Sequence, residues 1–133
     1  MHLRIMQKEN KQMAYIKPHQ VVHPVSHLSK FTLIYDGGEY RATDDQWTGW
    51  AFGKGLWDGG LCYLFRWNSS YSGNPSGGPD YGWPRGYGGV PEWCVLPLPI
   101  GEAIRRTILA ERPQAAHAAK IRDLNEKVVI ETE

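Results

Sequence analysis

LCYLFRW, residues Leu61–Trp67, is the stretch that decides the fold. Its seven residues carry one charge, Arg66. Alternation along a strand sends Leu61, Tyr63, Phe65 and Trp67 to one face and Cys62, Leu64 and Arg66 to the other. Both faces are then largely apolar, which predicts a central strand with material packed on each side. Asp58-Gly59-Gly60, just before it, is a turn signal.

Upstream, Trp50–Phe52 reads as a short strand inside the glycine-rich run Asp44–Gly60. Phe31–Tyr35 (FTLIY) is rich in β-formers and runs into Asp36-Gly37-Gly38, then into the more polar Glu39–Thr43. This pattern predicts a β-hairpin with a glycine turn, because glycine supplies the positive φ that tight hairpins require. Phe31, Leu33 and Tyr35 would share one face, with Thr32 and Ile34 on the other. Pro18 and Pro24 oppose a helix between residues 14 and 30, so that stretch reads as extended, with an edge strand near Gln20–Val25. Residues 1–13 show little periodicity and are expected to form a disordered tail; residues 14–133 form the single domain.

Downstream, residues 68–91 are a glycine-, proline- and serine-rich loop holding Tyr71, Tyr81, Trp83 and Tyr87. Loops this long are usually functional or disordered, and the interleaved rings argue against simple disorder. Glu92–Leu98, bounded by Pro91, Pro97 and Pro99, reads as the last strand. From there the pattern turns helical. A helix is expected over about 101–112, with Ile100, Ile104 and Ile108 on one stripe. Pro113 fits the first turn of a second helix over about 113–127, with Ala118, Ile121, Leu124 and Val128 on its buried side. Strands first and helices last give an α+β fold: an antiparallel sheet of four to five strands over about residues 20–98, covered by two C-terminal helices.

Composition narrows the function classes. The chain has 133 residues, with 41% apolar and 22% charged, values ordinary for one globular domain. The net charge of +1 argues against a dedicated binder of duplex DNA. Basic residues Arg4, Lys8, Lys11, Lys17 and Lys30 gather before residue 31, where a solvated tail is the commoner reading than an arm for an acidic partner. No apolar run is long enough to span a membrane, and the N-terminal residues lack the apolar segment of a secretory signal, so a cytoplasmic location and no membrane partner are expected. Cys62 and Cys94 would be free thiols there, and a disulfide between them belongs only to an exported chain.

Motifs for catalysis are lacking. Gly49–Gly55 (GWAFGKG) is one residue short of a phosphate loop and has glycine after Lys54. Gly86–Gly89 lacks the last glycine of a dinucleotide loop. His19, His23 and His27 are spaced four apart, but Pro24 spoils a helical metal face, and on a strand they would lie roughly 13 Å apart from one to the next, too far for one ion. Asp44, Asp45 and Glu92 adjoin tryptophans, yet turn and capping roles for aspartate are far commoner than paired catalysis. The reading is therefore of a protein that is not an enzyme and needs no cofactor or metal.

The distinctive asset is aromatic. All six tryptophans lie between Trp47 and Trp93. Trp67 and Trp93 suit the core, whereas Trp47, Trp50, Trp83 and Tyr87 sit among glycines and suit a recognition surface. The predicted binding residues are Trp47, Trp50 and Trp57 in one loop region and Tyr71, Tyr81, Trp83, Arg85 and Tyr87 in the other. Another protein is the expected partner, bound by an inhibitor or adaptor, since Trp, Tyr and Arg are the usual interface anchors. A sugar would stack on the same rings with Asp44, Asp45, Asp58 and Asn68 as polar partners, as in a carbohydrate-binding module or small glycosidase. Single-stranded nucleic acid would want a basic groove, yet residues 31–98 hold four bases against seven acids. A homodimer through Ala115–Ala119 is a further option.

Overall fold

Asp58 and Gly59 set the register of the sheet. In the computed structural model, which describes residues 16–41, 45–69 and 80–114, both residues have positive φ, 50° and 86°. That is the two-residue turn whose twist suits a right-handed hairpin. It joins β2 (Trp50–Trp57) to β3 (Gly60–Trp67), with Trp57 opposite Gly60 and Trp50 opposite Trp67. β1 (Leu28–Asp36) pairs with the outer side of β2, and β4 (Cys94–Leu96) with the outer side of β3. The sheet is open and antiparallel, in the order β1-β2-β3-β4. Leu61–Trp67 is central, as its composition predicts.

β2 is longer than the expected Trp50–Phe52 because its glycines belong to the strand. Gly53 lies where β1 crosses closely: a Cβ there would stand 2.6 Å from Cε2 of Phe31 and 2.7 Å from the Thr32 carbonyl oxygen. Glycine inside a strand permits that approach. β1 therefore takes β2 as its partner, and residues 39–41 of the expected return strand 39–43 form no strand, while 42–43 lie outside the described residues. Gly37 donates its N–H to the Trp50 carbonyl at 2.8 Å, and Gly38 donates to Oδ1 of Asp36 at 2.9 Å, so the glycine pair turns the chain toward β2.

The expected alternation along β1 is also broken. Its register to β2 shifts between Ser29 and Thr32 and again between Leu33 and Tyr35. A bulge inserts one residue and flips the faces after it. Leu33 thus packs in one core and Tyr35 in the other. The segment Gln20–Val25 is not a strand: Pro18–Gln20 forms a short 3-10 turn, and His23 makes an isolated bridge to Glu92. The two prolines excluded a helix, and their missing N–H groups also removed ladder donors.

The sheet is covered on both sides. On one side Val21, Leu28, Leu33, Ala51, Cys62, Leu64 and Trp93 form the larger core. Trp93 closes it, with its indole N–H donating to the Val21 carbonyl at 2.7 Å. On the other side Tyr35, Phe52, Tyr63 and Ile108 meet under a helix, α1 (Leu98–Glu111). α1 begins earlier than the spacing suggests, because Pro97 precedes it and Pro99 tolerates the first turn. Its inner stripe is Gly101 and Ile108, both buried, with Ile104 half-buried between them, while Ile100 is exposed. Gly101 seats against the Tyr63 ring, and Tyr63 Oη donates to Oε1 of Glu102 at 2.5 Å.

The described residues are therefore α+β with four strands and one C-terminal helix. Of the second expected helix, 113–127, only Pro113 and Gln114 are described; its remainder lies outside the described residues, as do the tail 1–13 and the Ala115–Ala119 contact. No described helix is long and apolar enough to cross a membrane. Cys62 is buried on the larger-core face and Cys94 is exposed next to Phe65, so the two free thiols lie on opposite faces.

Candidate binding site: a tryptophan row beside a helix cleft

The Asp58-Gly59 turn has a consequence for the rings. Every step back along β2 is matched by a step forward along β3, so Trp50 lies directly opposite Trp67. Past Cys94, the first residue of β4, the place beside β3 is taken by the preceding segment at Trp83. Trp67 and Trp83 exchange both backbone hydrogen bonds, at 2.8 and 2.9 Å. Directly paired residues of an antiparallel ladder point to the same face. Trp50, Trp67 and Trp83 thus form a row across three neighbouring chain segments, on the face that α1 only partly covers. With ~4.8 Å between strands, the row spans about 10 Å.

The inner end of the row is built into the fold. Trp50 packs on Tyr35 (centroids 4.7 Å), Trp47 (5.4 Å) and Phe65 (5.7 Å), and its indole N–H donates to the Gln46 carbonyl at 3.0 Å. Tyr35 Oη donates to the Trp47 carbonyl at 2.5 Å, which pins the turn at residues 45–49. Burial pushes the Tyr35 phenol above its ordinary value, against the opposing pull of the Arg112 charge. Arg112, at the end of α1, lies 4.8 Å over the Trp47 ring and 3.7 Å from Oδ1 of Asp45. Between this cluster and the helix lies a cleft of about 400 Å³, lined by Gln46, Trp47, Trp50, Ala103, Ile104, Thr107 and Ile108.

The outer end is open. Trp67 is 49% exposed and Trp83 51%. The Phe65 ring meets Trp67 edge-on at 5.2 Å. Arg85 lies 4.4 Å over the Trp83 ring. The carrier loop is fastened from below: the fully buried Arg66 guanidinium donates to the carbonyls of Tyr81 and Glu92, on either side of Trp83 and Arg85. Asn68, also fully buried, donates to the Gly38 carbonyl at 2.9 Å.

Five of the predicted residues gather here: Trp47 and Trp50 at the cleft, Trp83 and Arg85 at the open end, and Tyr81 in the anchoring backbone. Tyr87 is fully exposed on the Gly86–Gly89 turn. Trp57 is elsewhere. It lies seven residues along β2 from Trp50, roughly 23 Å away, and packs on the larger core with His27 stacked on it at 4.9 Å. Tyr71 lies outside the described residues. Trp67 reverses its expected place: it is a surface ring, because α1 ends its cover before the end of β3. The sequence reading also missed Phe65 and the helix residues of the cleft. The turn-set register was the available signal for Trp67; nothing local marks Ala103 or Thr107.

Three of the four polar groups expected for sugar binding are committed to other contacts. Asp45 meets Arg112, Asp58 bonds to Nδ1 of His27 at 2.8 Å at the far end of the sheet, Asn68 is buried, and Asp44 lies outside the described residues. Among the described residues no group of three or more His, Cys, Asp or Glu side chains could hold a metal ion. The chain matches no family model, no curated protein and no solved structure.

Proposed function

We propose that this chain is a non-catalytic binding protein that docks onto another protein through the Trp50–Trp67–Trp83 row and its cleft, as an inhibitor or adaptor would. The observation that carries this reading is the pair of half-exposed indoles at adjacent register positions, next to an apolar cleft. Large exposed rings lose free energy in water and recover it when a partner covers them. Trp and Arg at the centre of a patch are the residues that most often dominate interface energies. Protein is favoured over sugar because Asp45 and Asp58 are engaged by Arg112 and His27 and Asn68 is buried. It is favoured over single-stranded nucleic acid because Arg66 is buried and Arg112 is engaged by Asp45.

The test compares wild type with Trp83→Ala. Affinity for a partner captured from the native host falls tenfold or more, about 1.4 kcal/mol, while the thermal midpoint stays within a few degrees, because half of the ring is already in water. A partner retained equally by both proteins refutes the reading. So does a shift of tryptophan emission on adding oligosaccharides, or nucleic acid recovered in place of protein.

A further inference from the structure

We infer that the occupant of this platform is an extended, proline-rich segment in the polyproline II conformation, with a carboxylate at the end that reaches Arg85. The inference rests on the docking role proposed above and names the class of ligand. Three features of the site lead to it.

The first is reach. The row from Trp50 to Trp83 covers two strand spacings, about 10 Å. A polyproline II chain repeats every three residues at ~3.1 Å each, about 9 Å. One ligand side chain can therefore enter the cleft beside Trp50 while the residue three places on lies over Trp83, with Trp67 under the pair between them. The second is hydrogen bonding. The indole N–H of Trp50 is held by Gln46, but no described residue accepts from the indoles of Trp67 or Trp83. Each ring is about half in water and offers one donor, and the Trp83 ring carries the Arg85 guanidinium over it. A proline-rich backbone is the complement: it lacks N–H groups and leaves its carbonyls solvated. The third is charge. Arg85 has no acidic partner among the described residues, and its guanidinium stands at the outer end of the row.

The other peptide-binding modes fit poorly. Strand addition needs a straight free edge. The β1 edge is broken by two register shifts and carries Lys30 at a φ of 49°, and β4 is three residues long and runs into Pro97. Bulges, lysine and short strands are the usual guards of sheet edges. A docked helix is ~10–12 Å wide with its side chains and wants walls on both sides, whereas this row is walled by α1 at one end only.

The test is selection of random ~12-residue peptides displayed on phage against the full chain, with counter-selection on the Trp67→Ala/Trp83→Ala protein. Enrichment of peptides with prolines three apart and an acidic flank is the expected result. Synthetic versions then lose about tenfold in affinity against Trp83→Ala and when the prolines become alanines, and less against Arg85→Gln. Enrichment of other motifs that still need Trp67 and Trp83 overturns the polyproline inference and leaves the docking role standing. If no peptide distinguishes wild type from the double variant, both fall. Circular dichroism and the urea midpoint of the double variant establish that it is folded.

Discussion

Gly101→Ala separates two effects of opposite sign. In a helix free of tertiary contact, alanine is favoured over glycine by about 1 kcal/mol. Gly101 is not free: a Cβ at that position overlaps Cβ, Cγ and Cδ2 of Tyr63. The first of these is fixed to the β3 backbone, so rotation of the tyrosine ring cannot clear it. The helix must move off the sheet or the strand must bend, and overpacking of this kind costs typically 1–3 kcal/mol. Displacing the helix also strains the Tyr63–Glu102 hydrogen bond, worth about 1 kcal/mol. Even after the gain in helix propensity, the variant should be less stable by about 1–3 kcal/mol, which for a domain of this size lowers the thermal midpoint by roughly 4–10 °C. Urea denaturation followed by tryptophan emission measures it, with the slope unchanged and the midpoint reduced. A stabilised Gly101→Ala protein would show that α1 does not sit on Tyr63. The cleft between Ile104, Thr107 and Trp50 would then lose its helix wall, and the proposed docking site its inner end.

Two further predictions concern groups on either side of the sheet. The phenol of Tyr63 is raised above 10.0 by its hydrogen bond to Glu102 and by burial, and that of Tyr35 by burial. The unfolded chain then loses these protons at lower pH than the folded one, so stability is complete below about pH 10 and falls as pH rises through the folded values; Tyr63→Phe should make the decline between pH 9 and 11 shallower, and an unchanged slope in urea denaturation counts against the Glu102 contact. Arg66→Met should leave the sheet folded but release the 80–93 segment, at a cost of about 1–3 kcal/mol for two half-buried carbonyls left without these donors; amide exchange at Trp67 and Trp83 should quicken at least tenfold, and unchanged exchange would show that Arg66 does not hold the row.

The sheet was legible where local chemistry and global fold agree. Leu61–Trp67 is apolar on both faces and is central; Asp58-Gly59 is a turn sequence and makes the turn. Legibility failed where glycine served a neighbour and not its own segment. Gly37 and Gly38 resemble a hairpin turn, but the partner strand of β1 is β2, whose Gly53 and Gly55 make room for it. Those two glycines weaken the strand signal of β2 for the same reason that they permit the pairing. The bulges of β1 were likewise invisible, since Leu33 and Tyr35 alternate in sequence and only the register shift parts them. At the site, clustering of tryptophans was visible, and their grouping was not. Trp57 and Trp50 flank the same short run, yet an odd separation along one strand puts them on opposite faces as well as at opposite ends.

Strand β3 ends with an inversion that the fold by itself does not require. Arg66 is fully buried and Trp67, the next residue, is half in water. Exchanging the two characters, an apolar residue inward and a charge outward, would satisfy burial more simply: a buried guanidinium costs several kcal/mol unless its donors are met, and an exposed indole forgoes much of the stabilisation its surface can give. Two of the Arg66 donors, on Nη1 and Nη2, go to carbonyls of the very segment that lays Trp83 beside Trp67. The two departures are therefore one arrangement, in which a buried cation holds a loop so that two rings stand level at the surface. Departures from burial rules concentrate where a chain has a task other than folding. Here they meet on a single pair of residues, and that meeting supports the proposal that docking takes place at this end of the sheet, away from the equally aromatic His27–Trp57 end, where His27 stacks on the ring.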